Sequence, residues 1–165
     1  MGGRDKGLVE YQGKPLVDHV LDCIAPQVQE VLISANRNIE DYVRRGYPVV
    51  ADSLPGFQGP LAGVLEGVQQ ARHDWVLVVP CDMPHLPPDL LARLWAGRRS
   101  QQLVIARDAE RTHPIVMLIH KNLATDLAAY LDSGGRALYK FQSQVGFAAV
   151  NFATEQMQNI NTPSD

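Results

Sequence analysis

Asp82 is the residue of this chain whose type and position are best suited to chemistry. It comes shortly after the apolar segment 75–79, and it lies between Pro80 and Pro84. A carboxylate just past a buried strand is well placed to bind a hard cation such as Mg²⁺. Aspartate also begins turns, where it accepts hydrogen bonds from nearby backbone N–H groups. The position of Asp82 therefore fits both a metal site and a turn.

Lys6 is a second candidate, because it stands in the glycine-bracketed basic segment 2–7. Glycine backbone can approach phosphate groups closely, and an ammonium group neutralises their charge. The segment does not have the Walker A spacing G-x-x-x-x-G-K-[ST]. An exposed basic N-terminus is also a common solvated chain end. Two interpretations of Lys6 thus remain open: it binds phosphate, or it belongs to a solvated chain end.

Polar residues also follow two other apolar segments. Asn36 comes after segment 28–34, and Asp52 comes after Val49 and Val50. Asp52 precedes a proline-containing stretch, so a turn is an alternative to a binding role there.

A glycine repeat follows in the segment that begins at Pro60. Gly59, Gly63 and Gly67 recur every fourth residue, which puts bare backbone along one side of a helix. We expect something to approach that side closely. The neighbour is either the sheet, in tight packing, or the base of a nucleotide.

Other common catalytic patterns are missing from the sequence. The five histidines and two cysteines show no zinc-ligand spacing beyond a lone Cys81 and His85. No G-x-S-x-G motif is present, and no Ser/His/Asp order suggests acyl transfer. The sequence therefore argues against a zinc enzyme and a serine hydrolase.

Composition limits the class of protein further. The 165 residues carry 15 basic and 18 acidic side chains, and like charges form no block. This balance argues against nucleic acid and anionic membranes as partners. Cys23 and Cys81 form no C-x-x-C motif, which favours a reducing compartment, and we expect the cytoplasm. The sequence also lacks an apolar run of membrane-spanning length and an apolar signal segment at its start.

The elements that position these residues alternate between helix and strand. Periodicity and end signals predict helices over 16–25, 39–45, 60–71, 88–97, 122–131 and 137–141. Apolar runs predict strands over 28–34, 48–50, 75–79, 103–107, 115–119 and 147–152, with a loop over 53–60. The alternation predicts one three-layer α/β domain over 1–165, with a mostly parallel sheet and helices on both faces. Ligands of such folds bind at the carboxyl ends of strands, where Asn36, Asp52 and Asp82 stand.

Seven short motifs, taken in order along the chain, resemble those of molybdenum cofactor guanylyltransferases, which have a Rossmann-like nucleotidyltransferase fold. Some of these motifs also occur in other nucleotidyltransferases, whereas the Ala-Asn-Arg and Asn-x-Asn-Thr-Pro motifs make the set more specific. The motifs are Met1–Gly7, Gly13–Leu16, Ala35–Arg37, Asp52–Ser53, Gly59–Gly63, Pro80–Pro84 and Asn159–Pro163.

The resemblance implies transfer of GMP from GTP to the terminal phosphate of molybdopterin, with release of pyrophosphate. It implies that Asp82 holds Mg²⁺ near the α-phosphate and that Lys6 neutralises the charge that develops there. Proteins that insert the cofactor, and molybdoenzymes that receive it, are further partners that the family suggests.

The resemblance also assigns binding residues to two parts of the chain. The nucleotide part covers about 1–100 and the pterin part about 101–165. Residues assigned to the nucleotide are Gly3, Lys6, Asn36, Asp52, Gly59, Gly63 and Asp82, and those assigned to the pterin are Arg136, Asn159 and Asn161.

In this family a buried strand and a Leu-Ala-Gly-Gly segment precede the Met-Gly-Gly motif, whereas this sequence begins at that methionine. The resemblance thus implies that a central first strand is missing, together with N–H groups that would cradle the triphosphate. We expect unpaired strand edges and incomplete activity for the chain as given. Three explanations for this start remain open: the sequence is a fragment, an upstream start was overlooked, or the protein is a reduced relative.

Two other functions also remain open at this stage. One is a related transferase of the same fold that uses CTP or builds another nucleotide-linked product. The other is a non-catalytic relative that binds the pterin or a molybdoenzyme partner.

Overall fold

The computed structural model describes residues 5–53 and 59–161. The helices in this part of the chain are Leu16–Ile24 (α1), Ile39–Val43 (α2), Pro60–Gln70 (α3), Leu90–Gly97 (α4), Ala124–Asp132 (α5) and Leu138–Val145 (α6). The strands are Glu10–Tyr11 (β1), Lys14–Pro15 (β2), Ile33–Ser34 (β3), Val49–Val50 (β4), Trp75–Val78 (β5), Leu103–Arg107 (β6), Thr112–His120 (β7) and Ala148–Asn151 (β8). Short 3₁₀ turns cover Lys6–Leu8, Ala25–Gln27, Lys121–Leu123 and Thr154–Met157.

The largest sheet of the described residues has the strand order β5-β7-β6-β8. Strand β7 runs antiparallel to both β5 and β6, whereas β8 runs parallel to β6. A separate pair, β3 and β4, is parallel. The α/β class is confirmed, but the sheet is mixed rather than mostly parallel. The reason is the short connection between β6 and β7, because parallel neighbours need a crossover of about a dozen residues or more.

Helices cover both faces of this sheet, as the sequence predicted. Alternate residues of β6 point to opposite faces. Leu103 and Ile105 pack with apolar residues of α3, α5 and α6. Val104 and Ala106 pack with residues of α4 and with Val20 of α1. The three-layer architecture is therefore built from two apolar clusters, one on each side of the sheet.

A short hairpin near the start of the chain was not predicted. Strands β1 and β2 pair through a turn at Gln12 and Gly13, whose φ angles are 48° and 86°. Positive φ at both central residues is typical of the tight turns that join two antiparallel strands. The hairpin packs Tyr11 and Leu16 against Ile160, so it joins the start of the chain to its end.

A cavity of about 1470 Å³ is lined by residues of β3, β5, α1 and α3. In the described residues, β3 pairs only with β4, and β5 pairs only with β7. These are unpaired strand edges of the kind that the sequence analysis expected. The side chains of β5 are half-buried although the segment is wholly apolar, because β5 borders this cavity.

The cavity also accounts for one difference from prediction. The expected strand 28–34 is reduced to the two residues of β3, since it has a strand partner on one side only. Most of the predicted loop 53–60 falls outside the described residues. The remaining helices and strands start and end within a few residues of the predicted bounds. None of the helices within 5–53 and 59–161 is long and apolar enough to cross a membrane.

Candidate active site

Asp82 lies at the centre of a polar cluster that joins three distant parts of the chain. Its side chain is only 10% exposed, and its Oδ2 lies 3.3 Å from the Nζ of Lys6. Its Oδ1 accepts a hydrogen bond of 3.1 Å from the Nδ2 of Asn159. The main-chain N–H of Ile160 donates to the carbonyl oxygen of Asp82 over 2.8 Å. Both carboxylate oxygens of Asp82 are thus held in fixed directions.

Lys6 reaches this cluster from the 3₁₀ turn near the start of the chain. Its Nζ donates to Asp82 and also to Oδ1 of Asn161, over 3.3 Å. The Lys6 side chain is half exposed, so its ammonium remains accessible to a ligand. The structure therefore brings together Lys6, Asp82, Asn159 and Asn161, two of which the sequence analysis assigned to a nucleotide and two to a pterin.

Cys81 precedes Asp82 but has the properties of a packing residue. Burial and the neighbouring charges of Asp82 and Asp5 raise the pKa of the Cys81 thiol to about 11. The thiol is therefore protonated at neutral pH, whereas a cysteine nucleophile needs the thiolate.

Asn36 and Asp52 face each other where β3 and β4 end. The Nδ2 of Asn36 donates to Oδ2 of Asp52 over 2.9 Å, and the main-chain N–H of Asp52 donates to Oδ1 of Asn36 over 2.8 Å. The other carboxylate oxygen of Asp52, Oδ1, is buried and has no hydrogen-bond partner among the residues described. A buried acceptor without a donor is costly, and a bound ligand with an N–H group would satisfy it.

The glycines of α3 differ in their surroundings. A Cβ on Gly63 would lie 2.6 Å from Oγ of Ser34 and 3.4 Å from Oδ1 of Asp52. Gly59 has a φ of 73°, which glycine adopts at little cost, and it leads into α3. A Cβ on Gly67 would meet nothing within 4 Å. The expected close approach is therefore found at Gly63 but not along the whole glycine repeat.

One cavity gathers the described residues that the sequence analysis assigned to a nucleotide. Its volume of about 1470 Å³ exceeds the roughly 300–1,000 Å³ of typical small-ligand pockets. Gly3, which was assigned to the same group, lies outside the described residues. The lining includes Lys6, Asn36, Asp52, Gly59, Gly63 and Asp82.

Arg136 does not join the Asp82 cluster through any hydrogen bond of the described residues. Its guanidinium donates to the main-chain carbonyl oxygens of Leu131 and Gly135, over 2.9 and 2.6 Å. These bonds close the C-terminal end of α5, where carbonyl oxygens lack helical partners. A pterin-binding role for Arg136 therefore stays a prediction.

The Asp82 carboxylate could provide one ligand of a divalent metal whose other ligands come from a substrate. Within residues 5–53 and 59–161, no group of three or more His, Cys, Asp or Glu side chains could hold a metal ion. Mg²⁺ is commonly bound by one or two carboxylates, with substrate phosphates and water as the other ligands. Asp82 supplies one such carboxylate beside a cation that can approach the same phosphates.

Sequence reasoning missed a buried pair in the β6–β7 hairpin. The Oδ2 of Asp108 lies 2.8 Å from Nε2 of His113, and both side chains are at most 5% exposed. The hydrogen bond from His113, and then those from the N–H groups of Arg111 and Glu110, lower the pKa of Asp108 to about 2. The sequence placed these residues in a polar connection, but their spacing alone does not reveal the pairing.

Sequence comparison identifies relatives over the whole chain. Residues 1–145 match the family model described as a MobA-like NTP transferase domain. The molybdenum cofactor guanylyltransferase of Yersinia pseudotuberculosis serotype O:1b is 44% identical over 167 residues, which cover 100% of this chain and 86% of that protein.

Solved structures agree in fold. A putative protein from Aquifex aeolicus aligns with a TM-score of 0.79 at 19% identity, covering 89% of this chain and 79% of that one. The molybdopterin-guanine dinucleotide biosynthesis protein A of Archaeoglobus fulgidus aligns with a TM-score of 0.71 at 21% identity, covering 98% of this chain and 87% of that one. On the family match and the 44% identity, this chain belongs to the family of MobA-like NTP transferase domains.

Proposed function

We propose that this protein is a nucleotidyltransferase that transfers GMP from GTP to the phosphate of molybdopterin. The observation that carries the proposal is the meeting of Lys6 and Asp82 with Asn159 and Asn161. Relatives at 44% identity that are named molybdenum cofactor guanylyltransferase support the same reaction. We assign the nucleotide to about 1–100 and the pterin to about 101–165, with Asp82 where the two substrates meet.

The reaction needs charge neutralisation more than it needs a base. A phosphate monoester has a second pKa of about 6, so the molybdopterin phosphate is already an anionic nucleophile at neutral pH. One of its oxygens bonds to the α-phosphorus of GTP, and the bond from that phosphorus to the oxygen bridging to the β-phosphate breaks. Pyrophosphate leaves, and no proton has to be removed from the nucleophile. The barrier comes from bringing two anions together.

Lys6 and Asp82 supply what this barrier requires. The half-exposed ammonium of Lys6 can move from Asp82 onto the triphosphate, where it neutralises charge on the α-phosphate and on the leaving pyrophosphate. NTP transfer in this family uses a divalent metal, and we propose that it is Mg²⁺, held by the Asp82 carboxylate. Such an ion neutralises phosphate charge and aligns the reacting groups. The hydrogen bond from Asn159 keeps the Asp82 carboxylate in the orientation proposed for binding the ion.

The base is proposed to bind between the Asn36–Asp52 pair and the start of α3. Guanine presents two neighbouring N–H donor groups, N1–H and N2–H₂, on one edge. The unpartnered Oδ1 of Asp52 is an acceptor that suits them. Because Gly63 has no side chain, no Cβ stands against this oxygen, and Gly59 gives the chain the turn that leads into α3. We include Gly3 in the phosphate loop on the resemblance alone.

The pterin side is proposed to include Asn159, Asn161 and Arg136. Amide groups can both donate to and accept from the polar edge of a pterin ring, and an arginine can bind a phosphate. Asn159 and Asn161 support this role by their contact with Asp82 and Lys6.

Nucleotide binding tests the proposal before any chemistry takes place. Isothermal titration calorimetry with GTP and Mg²⁺ is expected to show binding at least about tenfold tighter than with CTP, a difference of about 1.4 kcal/mol. Leaving out the metal should weaken the binding of GTP. Equal or tighter binding of CTP would favour the cytidylyl alternative. The absence of binding by either nucleotide would favour a non-catalytic relative.

A further inference from the structure

Asp5, the residue before Lys6, is held by side chains that play no part in the proposed chemistry. Its Oδ1 accepts a hydrogen bond of 2.6 Å from the Tyr42 hydroxyl and one of 3.2 Å from the Gly7 N–H. Its Oδ2 accepts from Nδ2 of Asn38 over 3.1 Å and lies 3.9 Å from Nε of Arg37. Three hydrogen bonds and one ion pair thus converge on a single carboxylate.

Gly7, the residue after Lys6, is fixed against the same tyrosine. A Cβ at this position would lie 2.5 Å from the Tyr42 hydroxyl and 3.4 Å from Sγ of Cys81. Tyr42 itself is only 4% exposed, and its ring belongs to an apolar cluster with Val17 and Leu21 of α1. The Asp5 side chain and the Gly7 main chain, which flank Lys6, therefore both contact one buried side chain.

The position of the Lys6 ammonium depends on these contacts of Asp5 and Gly7 with Tyr42, because the Lys6 side chain is long and half exposed. The backbone of residues 5–7 fixes the point from which the Lys6 side chain reaches toward Asp82. A misplacement of about 1 Å at a reacting group can cost about 100-fold in rate. Small shifts of the Asp5–Gly7 backbone should thus act on turnover before they act on the fold.

We propose that Asp5, held by Tyr42, is the positioning residue for Lys6 in the transfer reaction. This inference rests on the proposed function, since it gives Lys6 its role at the α-phosphate. The segment that holds Asp5 also continues from Asn36, whose side chain pairs with Asp52. The same short segment therefore connects the base side of the cavity with the lysine that faces the phosphates.

A double-mutant cycle separates positioning from a general structural role. The variants are Asp5→Asn, Lys6→Gln and the double variant, with turnover measured per folded protein and checked by thermal unfolding. Asp5→Asn keeps an acceptor for Tyr42 but turns an amide N–H₂ group toward the donor of Asn38. We expect kcat to fall about tenfold in Asp5→Asn and about 100-fold in Lys6→Gln. The KM for GTP should change less than about threefold in Asp5→Asn. Asp5 acts through Lys6, whose ammonium neutralises charge that develops during the reaction rather than in the bound GTP.

In the double variant, kcat should equal that of Lys6→Gln within about twofold, because Asp5 acts through a lysine that is no longer there. Asp41→Asn is the matched control, since Asp41 is a carboxylate of α2 that pairs with Arg44 at the surface. It should leave kcat unchanged. Equal losses from Asp5→Asn in both backgrounds, or unchanged kcat in Asp5→Asn alone, would overturn the positioning role. Unchanged kcat in Lys6→Gln would instead reject the proposed function of Lys6 itself.

Discussion

At the scale of single residues, the ion pair between Lys6 and Asp82 puts a cation and a carboxylate at the place where two anionic substrates are proposed to react. The ammonium lies 3.3 Å from the carboxylate, and two asparagines hold the pair from the C-terminal segment. A pair that is only partly buried contributes little to stability. Its position in the cluster with Asn159 and Asn161 therefore points to a role in the proposed binding and transfer.

The buried Asp108–His113 pair leads to a prediction about stability. Its hydrogen bonds hold the pKa of Asp108 at about 2, below the ordinary value of 3.8. The stabilisation is therefore complete above the ordinary pKa and is lost as the pH falls toward about 2. Asp108→Asn should lower Tm at pH 7. Between pH 5 and pH 2.5, its Tm should fall about 2–4 °C less than that of the wild type.

Thermal unfolding followed by circular dichroism at several pH values measures this difference. Asp41→Asn, at the surface of α2, should lose as much Tm in acid as the wild type does. A parallel loss of Tm in Asp108→Asn and the wild type would show that this pair does not contribute to acid sensitivity.

At the scale of the elements, helix α3 makes the closest approach to the predicted base site. Gly63→Ala would displace Ser34, whose Oγ lies 2.6 Å from the added Cβ, and would place a methyl group in contact with Oδ1 of Asp52 at 3.4 Å. We expect GTP to bind about tenfold more weakly to this variant, as measured by calorimetry, because the methyl group stands beside the acceptor proposed for the base.

Gly67→Ala in the same helix is the matched control. Its Cβ meets nothing within 4 Å, so GTP affinity should stay within about twofold of the wild type. The alanine should also stabilise the protein by about 0.4–1 kcal/mol, since glycine is the more flexible residue in the unfolded chain. Equal weakening of GTP binding in both variants would place the base elsewhere.

The elements also show what the sequence could and could not predict. Periodicity and end signals located α1, α3 and α4 well, because each has one apolar face and proline or glycine near its ends. Strand direction was harder, since apolar runs look alike in parallel and antiparallel sheets. The Gln12–Gly13 turn was overlooked because β1 and β2 are only two residues long.

For the candidate site too, local sequence patterns indicated some residues and not others. Asn36, Asp52 and Asp82, which line one cavity in the structure, were candidates because they follow apolar segments, and this position in the sequence does not depend on strand direction. The contacts of Asn159 with Asp82 and of Tyr42 with Asp5 span 77 and 37 residues of sequence. Such contacts arise only from the tertiary fold, so no local pattern predicts them. The resemblance to a family supplied Asn159 and Asn161, and nothing in the sequence indicated Tyr42.

At the scale of the whole molecule, the fold brings the start, middle and end of the chain to one edge of the large cavity. The hairpin β1–β2 packs on Ile160, and Ile160 bonds to the main chain of Asp82. This closure places Lys6 and Asn159 on the Asp82 carboxylate, and Asn161 on the Lys6 ammonium. A transferase with two large anionic substrates needs such a shared centre, because the reacting phosphates must meet while the base and the pterin lie apart.

The most direct test of this account is the transfer reaction itself. The protein is incubated with molybdopterin, Mg²⁺ and either GTP or CTP, and mass spectrometry and pyrophosphate release report the product. We predict a guanine dinucleotide product, faster turnover with GTP than with CTP, and a loss of at least about 100-fold in Asp82→Asn. Asp41→Asn should match the wild type, since Asp41 pairs with Arg44 at the surface of α2 and does not line the large cavity. Faster turnover with CTP, or Asp82→Asn turnover within about threefold of the wild type, would contradict the account.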